Sequence, residues 1–245
     1  DAATSAAGCD AIVNLAGESI AQRWSSQVKR RIEASRVEQP RRFLQALATQ
    51  PSRTARTYVS ASAIGYYGDS ETATFTEDAP PGDDFLARVC AAWEREALTA
   101  RDLGMRVAIL RTGIALGTDG GALEKILPPF RAGAGGPVGN GKQWWSWIHI
   151  DDLVAIYLLA LERIDGAVNA TAPEPVTNAE FTATLGDVLH RPAKLPVPAF
   201  ALKMMLGEGA SFVLKGQRVV PHRLSAEYGF TFAYPALAPA LRGLL

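Results

Sequence analysis

The densest group of side chains able to do chemistry lies in Val59-Ser60-Ala61-Ser62-Ala63-Ile64-Gly65-Tyr66-Tyr67-Gly68, where serine hydroxyls and phenols stand close together. A hydroxyl at the end of a strand can hydrogen-bond a substrate oxygen, and a phenol can pass a proton to it. With an ordinary pKa near 10, only about one phenol in a thousand is ionised at pH 7, so a base role needs a neighbouring cation. Ser62 reads either as a polar anchor for a substrate oxygen or as a small residue ending a buried strand. Tyr66 and Tyr67 read as proton donors, or as aromatics that stack on a ligand or pack. Lys142, beside Trp144-Trp145 at the end of a Gly-rich stretch, is a candidate contact for a polar substrate. Cys90 recurs with apolar residues at helical spacing and reads as a small buried hydrophobe, with a reactive thiol as the alternative.

Other chemistries are disfavoured by spacing. His149, His190 and His222 are isolated, so no metal centre is written in the sequence. Cys9 and Cys90 lie far apart, which argues against a disulfide framework and suits a reducing cytoplasm. No G-x-S-x-G is present, and Gly113 to Gly121 lacks the Lys-Ser/Thr ending of a phosphate-binding loop. The 245 residues carry 25 acidic and 25 basic side chains, so no net field recruits nucleic acid or an anionic membrane. Neither a membrane span nor a secretion signal is evident, which leaves a small-molecule substrate as the expected partner.

The elements that must position these residues alternate. Asp10-Ala11-Ile12-Val13-Asn14-Leu15-Ala16-Gly17 follows a short segment of small and polar residues and reads as a buried parallel strand. Ser25 caps a helix that Pro40 kinks or divides, and Thr57-Tyr58-Val59-Ser60 begins the next strand. Asp83 or Asp84 caps a helix whose apolar face includes Leu86, Val89, Cys90 and Trp93, with Gly104 at its end. Met105 to Leu110 and Val168 to Ala170 are further strands. Asp151 is expected to cap the helix from Asp152 to about Glu162, and Thr177-Asn178-Ala179-Glu180 is a capping box. Helices are expected over Ala199 to Leu206 and Ala236 to Leu245. This order predicts an α/β fold with a parallel sheet covered on both faces and a ligand at the carboxyl ends of its strands.

Asn14-Leu15-Ala16-Gly17-Glu18, Ser60 to Gly68, Trp93-Glu94, Leu110-Arg111-Thr112-Gly113, Leu116-Gly117 and Trp147-Ile148-His149-Ile150-Asp151-Asp152-Leu153 occur together in order. Jointly they resemble the extended short-chain dehydrogenase/reductase superfamily, in its atypical branch of sugar-nucleotide epimerases (NAD-dependent epimerase/dehydratase) with a C-terminal domain of unknown function. The resemblance covers essentially the whole chain. It implies a Rossmann-like doubly wound domain over residues 1–194 and a small, mainly helical module over 195–245, a lid in our reading. The family's opening strand, Gly-rich turn and helix have no counterpart here, so a truncated first βαβ unit is expected.

The resemblance also implies roles. Leu15, Ala16 and Gly17 would lie along a dinucleotide, Arg36 would offer donors to its phosphate or ribose oxygens, and Ser60 would line the same site. Arg111, Thr112, Gly113 and Ala115 would follow the strand nearest the nicotinamide. Ser62 would hold a substrate oxygen, with Tyr66 and Tyr67 as the remaining acids, and Lys142 and His149 would meet substrate. The implied cofactor is NADP(H) or NAD(H), leaning to NADP(H). Superfamily chemistry uses a Tyr and a Lys four residues later, yet Leu86 and Cys90 stand there, and neither can replace phenol or ammonium. Two functions are therefore expected to compete: an oxidoreductase or epimerase for a carbonyl or sugar-like metabolite, and a non-catalytic NADP(H)-binding regulatory or redox-sensing protein.

Overall fold

The computed structural model describes residues 2–245. The chain opens with a helix, α1 (Ala2–Ala7), where only a short segment of small residues was expected; its alanines are strong helix formers. Strand β1 (Ala11–Asn14) leads to α2 (Ser26–Arg36), capped by Ser25, whose Oγ accepts the Val28 N–H. The division expected at Pro40 falls at Val37. There α3 (Glu38–Ala48) begins, with Pro40 in its first turn, where a missing N–H costs nothing.

Strand β2 (Thr57–Ala63), the short β3 (Thr74–Phe75), α4 (Phe85–Leu98), β4 (Arg106–Thr112) and β5 (Ile114–Leu116) follow. Asp84 caps α4 by accepting the Ala87 N–H at 2.9 Å. Next come α5 (Gly121–Arg131), β6 (Trp144–Trp145), β7 (Trp147–His149), α6 (Ile150–Glu162), β8 (Gly166–Ala170), β9 (Val176–Thr177) and α7 (Asn178–Leu189). The capping box at Thr177 and Glu180 is formed. The chain closes with α8 (Ala199–Leu206), α9 (Ser211–Leu214), β10 (Arg218–Val219), α10 (His222–Ala226) and α11 (Leu237–Leu244).

The main sheet has the order β1-β2-β4-β8, all parallel. Alternation along the strands sends Tyr58, Val107 and Ile109 to one face, against Leu44, Leu47 and Ala97 of α3 and α4. Val59, Ala108 and Leu110 go to the other, against Leu153, Ile156 and Ala160 of α6. Both faces are covered over β2 and β4, as a doubly wound fold requires, whereas the strand expected to be buried at residues 10–17 is the edge strand β1, in which Ile12 is buried and Val13 is 41% exposed. A separate cluster packs Leu123 and Phe130 of α5, Phe181 and Leu185 of α7, and Leu237 and Leu241 of α11. Each such fully buried side chain contributes ~1.5–3 kcal/mol of transfer free energy. Among the described residues, no helix is long and apolar enough to cross a membrane.

Helix α6 departs from expectation at its start: His149, not Asp151, is the cap, its Nδ1 accepting the Asp151 N–H at 3.1 Å. The ring stacks on Tyr234 at 3.7 Å, and Asp152 accepts the N–H groups of Ala233 and Tyr234, so the C-terminal stretch is fastened to α6 here. Burial pulls the His149 pKa below 6.5, against the opposing charges of Asp151 and Asp152. The unfolded chain thus binds a proton near pH 6.5 that the folded chain refuses. Stability present above that pH is lost as pH falls below it. Thermal melts between pH 7.5 and 5 should show the midpoint falling, and falling less in His149→Gln; equal pH slopes for the two proteins would refute this.

Candidate active site

At the carboxyl ends of β2, β4 and β8 the polar residues of the sequence motif close into one buried network. Arg111, 5% exposed, grips Glu94, 7% exposed, through two parallel bonds: Nε to Oε1 at 2.9 Å and Nη2 to Oε2 at 2.8 Å. Its Nη1 donates to the Tyr67 hydroxyl at 2.9 Å and to the Glu77 carbonyl at 3.2 Å. Tyr67 in turn donates to Asn169 Oδ1 at 2.6 Å. Ser62 Oγ donates to Glu94 Oε1 at 2.7 Å. Since a hydroxyl has one proton, Ser62 has committed it to Glu94 and keeps only acceptor capacity for a ligand.

These contacts set the electrostatics. Burial works against the Arg111 cation, but the bonds and charge of Glu94 outweigh it and hold the guanidinium above its ordinary pKa. Burial pushes the Tyr67 phenol up to about 12 despite Arg111 beside it. Tyr66 is placed differently: its ring lies over the Arg111 guanidinium at 3.6 Å, and its hydroxyl has no hydrogen bond among the described residues. On α4, Leu86 and Cys90 face Gly65, where an added Cβ would lie 3.6 Å from the Leu86 Cβ and 3.9 Å from the Cys90 Sγ. Burial, reinforced by Glu94, pushes the Cys90 thiol up to about 12, so it is an inert packing group at neutral pH.

A second grouping forms where β1 ends. Asn14 Oδ1 accepts the Ala16 N–H at 3.1 Å, turning the chain so that Leu15 is 64% exposed. Gly17 then runs beside Arg36: a Cβ there would meet Arg36 Cζ and Nη2 at 3.0 Å. Arg36 uses Nη1 alone for protein contacts, chiefly the Glu18 carbonyl at 2.9 Å, and lies over the Trp93 ring at 5.2 Å. Its Nε and Nη2 have no acceptor among the described residues, and Trp93 Nε1 is buried without one.

The other candidates are placed as follows. Ser60 is buried, its Oγ donating to the Ala61 carbonyl at 3.0 Å, and Thr112 Oγ1 donates to the Leu110 carbonyl at 3.3 Å. Gly113 passes so close to β7 that a Cβ would lie 2.4 Å from the Ser146 carbonyl oxygen. Ala115 pairs with Ile148 in the short parallel sheet of β5 and β7. Lys142 is exposed, and His149 is buried as the α6 cap. A cleft of about 900 Å³ opens between the Gly-rich loop and the C-terminal stretch. Through Glu208, Ser211 and Lys215 it meets a recess of about 300 Å³ that reaches Phe85 and Leu86.

The sequence profile of the NAD dependent epimerase/dehydratase family matches residues 1–172, and that of a domain of unknown function (DUF1731) matches residues 197–244. The chain belongs to the NAD-dependent epimerase/dehydratase family. An epimerase family protein SDR39U1 homolog, chloroplastic, of Arabidopsis thaliana is 48% identical over 241 residues, covering 97% of this chain and 69% of its own length. The crystal structure of the human epimerase family protein SDR39U1 (isoform 2) with NADPH superposes with a TM-score of 0.88 at 36% identity, over 97% of this chain and 82% of that one. UDP-glucuronic acid 4-epimerase from Bacillus cereus, at 15% identity and a TM-score of 0.79, covering 100% of this chain and 76% of its own, shares the fold.

Within this epimerase-family chain, sequence reading gave no site role to Glu94, although Trp93-Glu94 stood in the motif, nor to Asn169 and Glu77. Glu94 carried a signal: it follows Leu86 and Cys90 at helical spacing on an apolar face, where a carboxylate needs a cation. Asn169 carried none that stands out from a buried strand. Glu77, 9% exposed, accepts the N–H groups of Asn169 at 2.9 Å and Arg223 at 3.2 Å, tying the network to α10.

Proposed function

We propose that this chain binds NADP(H) or NAD(H) and acts as an oxidoreductase or epimerase-like protein on a carbonyl or sugar-like metabolite, without a Tyr-x-x-x-Lys pair. The observation that carries the reading is the open edge of Arg36 beside Gly17: two uncommitted donor nitrogens along a turn where the backbone runs close to the guanidinium. Donors without acceptors in a partly buried setting suit the oxygens of a ribose or phosphate. The NADPH in the human relative's structure supports NADP(H) as the first choice. When bound, a nicotinamide supplies hydride transfer. Leu15, Ala16, Gly17 and Arg36 would hold one part of the dinucleotide, with Ser60, Thr112, Gly113 and Ala115 near the strand ends.

On the protein side, Ser62 accepts from a substrate hydroxyl and Tyr66 is the phenol with a free proton. Arg111 positions both, the first through Glu94 and the second by stacking, and Tyr67 braces Arg111. Lys142 is offered to substrate from the end of the Gly-rich loop, His149 holds the start of α6 from within, and the two unpaired thiols suit a reducing compartment. The test is fluorescence titration with NADPH: Arg36→Gln should weaken binding about tenfold, a loss of ~1.4 kcal/mol. Unchanged affinity in a well-folded Arg36→Gln protein would sink this assignment.

Binding without turnover is the second reading, favoured by Leu86 and Cys90 at the catalytic positions and by a Tyr67 hydroxyl engaged on both sides. Absorbance at 340 nm against a carbonyl panel separates the two. Oxidation that falls in Ser62→Ala and Tyr66→Phe supports catalysis, and binding with no turnover of any compound supports the regulatory role.

A further inference from the structure

The cleft between the Gly-rich loop and the C-terminal stretch combines an apolar floor with two lysines. Val138 and Gly139 of the Gly-rich loop line it with Ala199 of α8, Ala210 and Leu214 of α9. Lys203 of α8 also lines it and has no side-chain partner among the described residues. Lys215 lies 3.8 Å from Asp69 Oδ2, too long for a charge-assisted hydrogen bond, with both groups exposed. The remaining polar lining is Glu208, Gln143, Asn140 and Ser211, of which the Ser211 hydroxyl has no hydrogen bond among the described residues. Glu208 is paired with Lys29, and the Gln143 amide donates to the carbonyls of Val138 at 3.1 Å and Val213 at 3.2 Å.

What the large cleft lacks also bears on its ligand. Its lining includes no guanidinium and no aromatic ring, so it offers neither a forked phosphate clamp nor a platform for a base. A nucleoside diphosphate would find little to match its base there. An aliphatic body would gain from every contact with the floor. One wall is α8, which lines the cleft through Ala199 and Lys203. The wall is anchored at both ends: Gly207 bridges to Trp24, and Val197 bridges to Val138.

We infer that this cleft binds an amphipathic anion, its aliphatic chain lying along Val138, Ala199, Ala210 and Leu214 and its carboxylate or phosphate head held by Lys203 and Lys215. The inference deepens the proposed function and rests on it for one step. Lys215 and Ser211, with the carboxylates of Asp84 and Glu208, also line the recess that reaches Leu86, whose Cβ faces Gly65 next to Tyr66, so the charged end lies toward the side of the proposed acid. An aliphatic acid with its reactive oxygen near its charged end is thus the substrate class.

The test is calorimetric titration of the full chain with decanoate, decyl phosphate and UDP-glucose, first without cofactor. Omitting NADPH separates failure here from failure of the cofactor assignment. Decanoate or decyl phosphate should bind saturably, and the tighter of the two assigns the head group. Lys203→Gln and Lys215→Gln should each weaken binding about five- to tenfold, within the range of a partly exposed charge pair. Both lysines are exposed, so the substitutions leave the fold in place. Ala199→Phe, which fills the cleft without altering charge, should weaken binding as well. The proposal is overturned if neither amphiphile binds, if affinity ignores the two lysines, or if UDP-glucose binds more tightly with the same lysine dependence.

Discussion

Arg111→Met should lower the unfolding free energy by about 3–5 kcal/mol, because it strands the Glu94 carboxylate in the interior. Glu94 is 7% exposed and accepts two bonds from Arg111, so the Ser62 hydroxyl alone would remain to satisfy it. The same change removes a donor from Tyr67 and from the Glu77 carbonyl. Glu94→Leu should be comparably harmful from the opposite side, leaving a buried guanidinium. The double variant discriminates: with both charges gone, its loss should be well below the sum of the single losses. Urea unfolding followed by tryptophan fluorescence measures all three. Simple additivity would mean that the pair is not coupled as the geometry requires.

Gly113→Ala is the second large effect, at about 3 kcal/mol, the upper part of the usual overpacking range. The obstacle is backbone: the new Cβ would lie 2.4 Å from the Ser146 carbonyl oxygen and 3.0 Å from Thr171 Cγ2. That carbonyl already accepts the Ile114 N–H at 2.8 Å, while Ser146 Oγ donates to the Gln217 carbonyl and accepts the Val219 N–H. Any retreat by Ser146 would therefore disturb both β5 and the approach to β10. Gly8→Ala is the control, since nothing lies within 4 Å of a Cβ there. It should be neutral or slightly stabilising through the unfolded chain. Urea midpoints that fail to separate the two variants would refute the steric account.

The local parts of this fold were legible because their causes are local. Ser25, Asp84 and Thr177 cap helices through acceptors three residues from their donors, and such spacing can be read directly. The α6 cap was misassigned because His149 and Asp151 both carry a side-chain acceptor at the right place. Only the three-dimensional ring stack on Tyr234 favours the imidazole. The polar network was legible only in part. Ser62, Tyr67 and Arg111 stood out by type, but Arg111 meets Glu94 across 17 residues and Tyr67 meets Asn169 across 102. No periodicity encodes such pairings. Gly113 illustrates a subtler limit: it stood in the Arg111-Thr112-Gly113 motif, while the Ser146 carbonyl that excludes a side chain there was not readable.

The unequal setting of the two cysteines makes this chain its own probe of motion. Cys9 is in water, whereas Cys90 is 4% exposed on the inward face of α4 with its thiol pushed up to about 12. A thiol-specific reagent adds to the first at the rate of a free side chain and reaches the second only when α4 lifts from Gly65. The lag between the two additions is a clock for that opening. It reports the breathing of the surface where chemistry is proposed, in unmodified protein and with no substrate in hand.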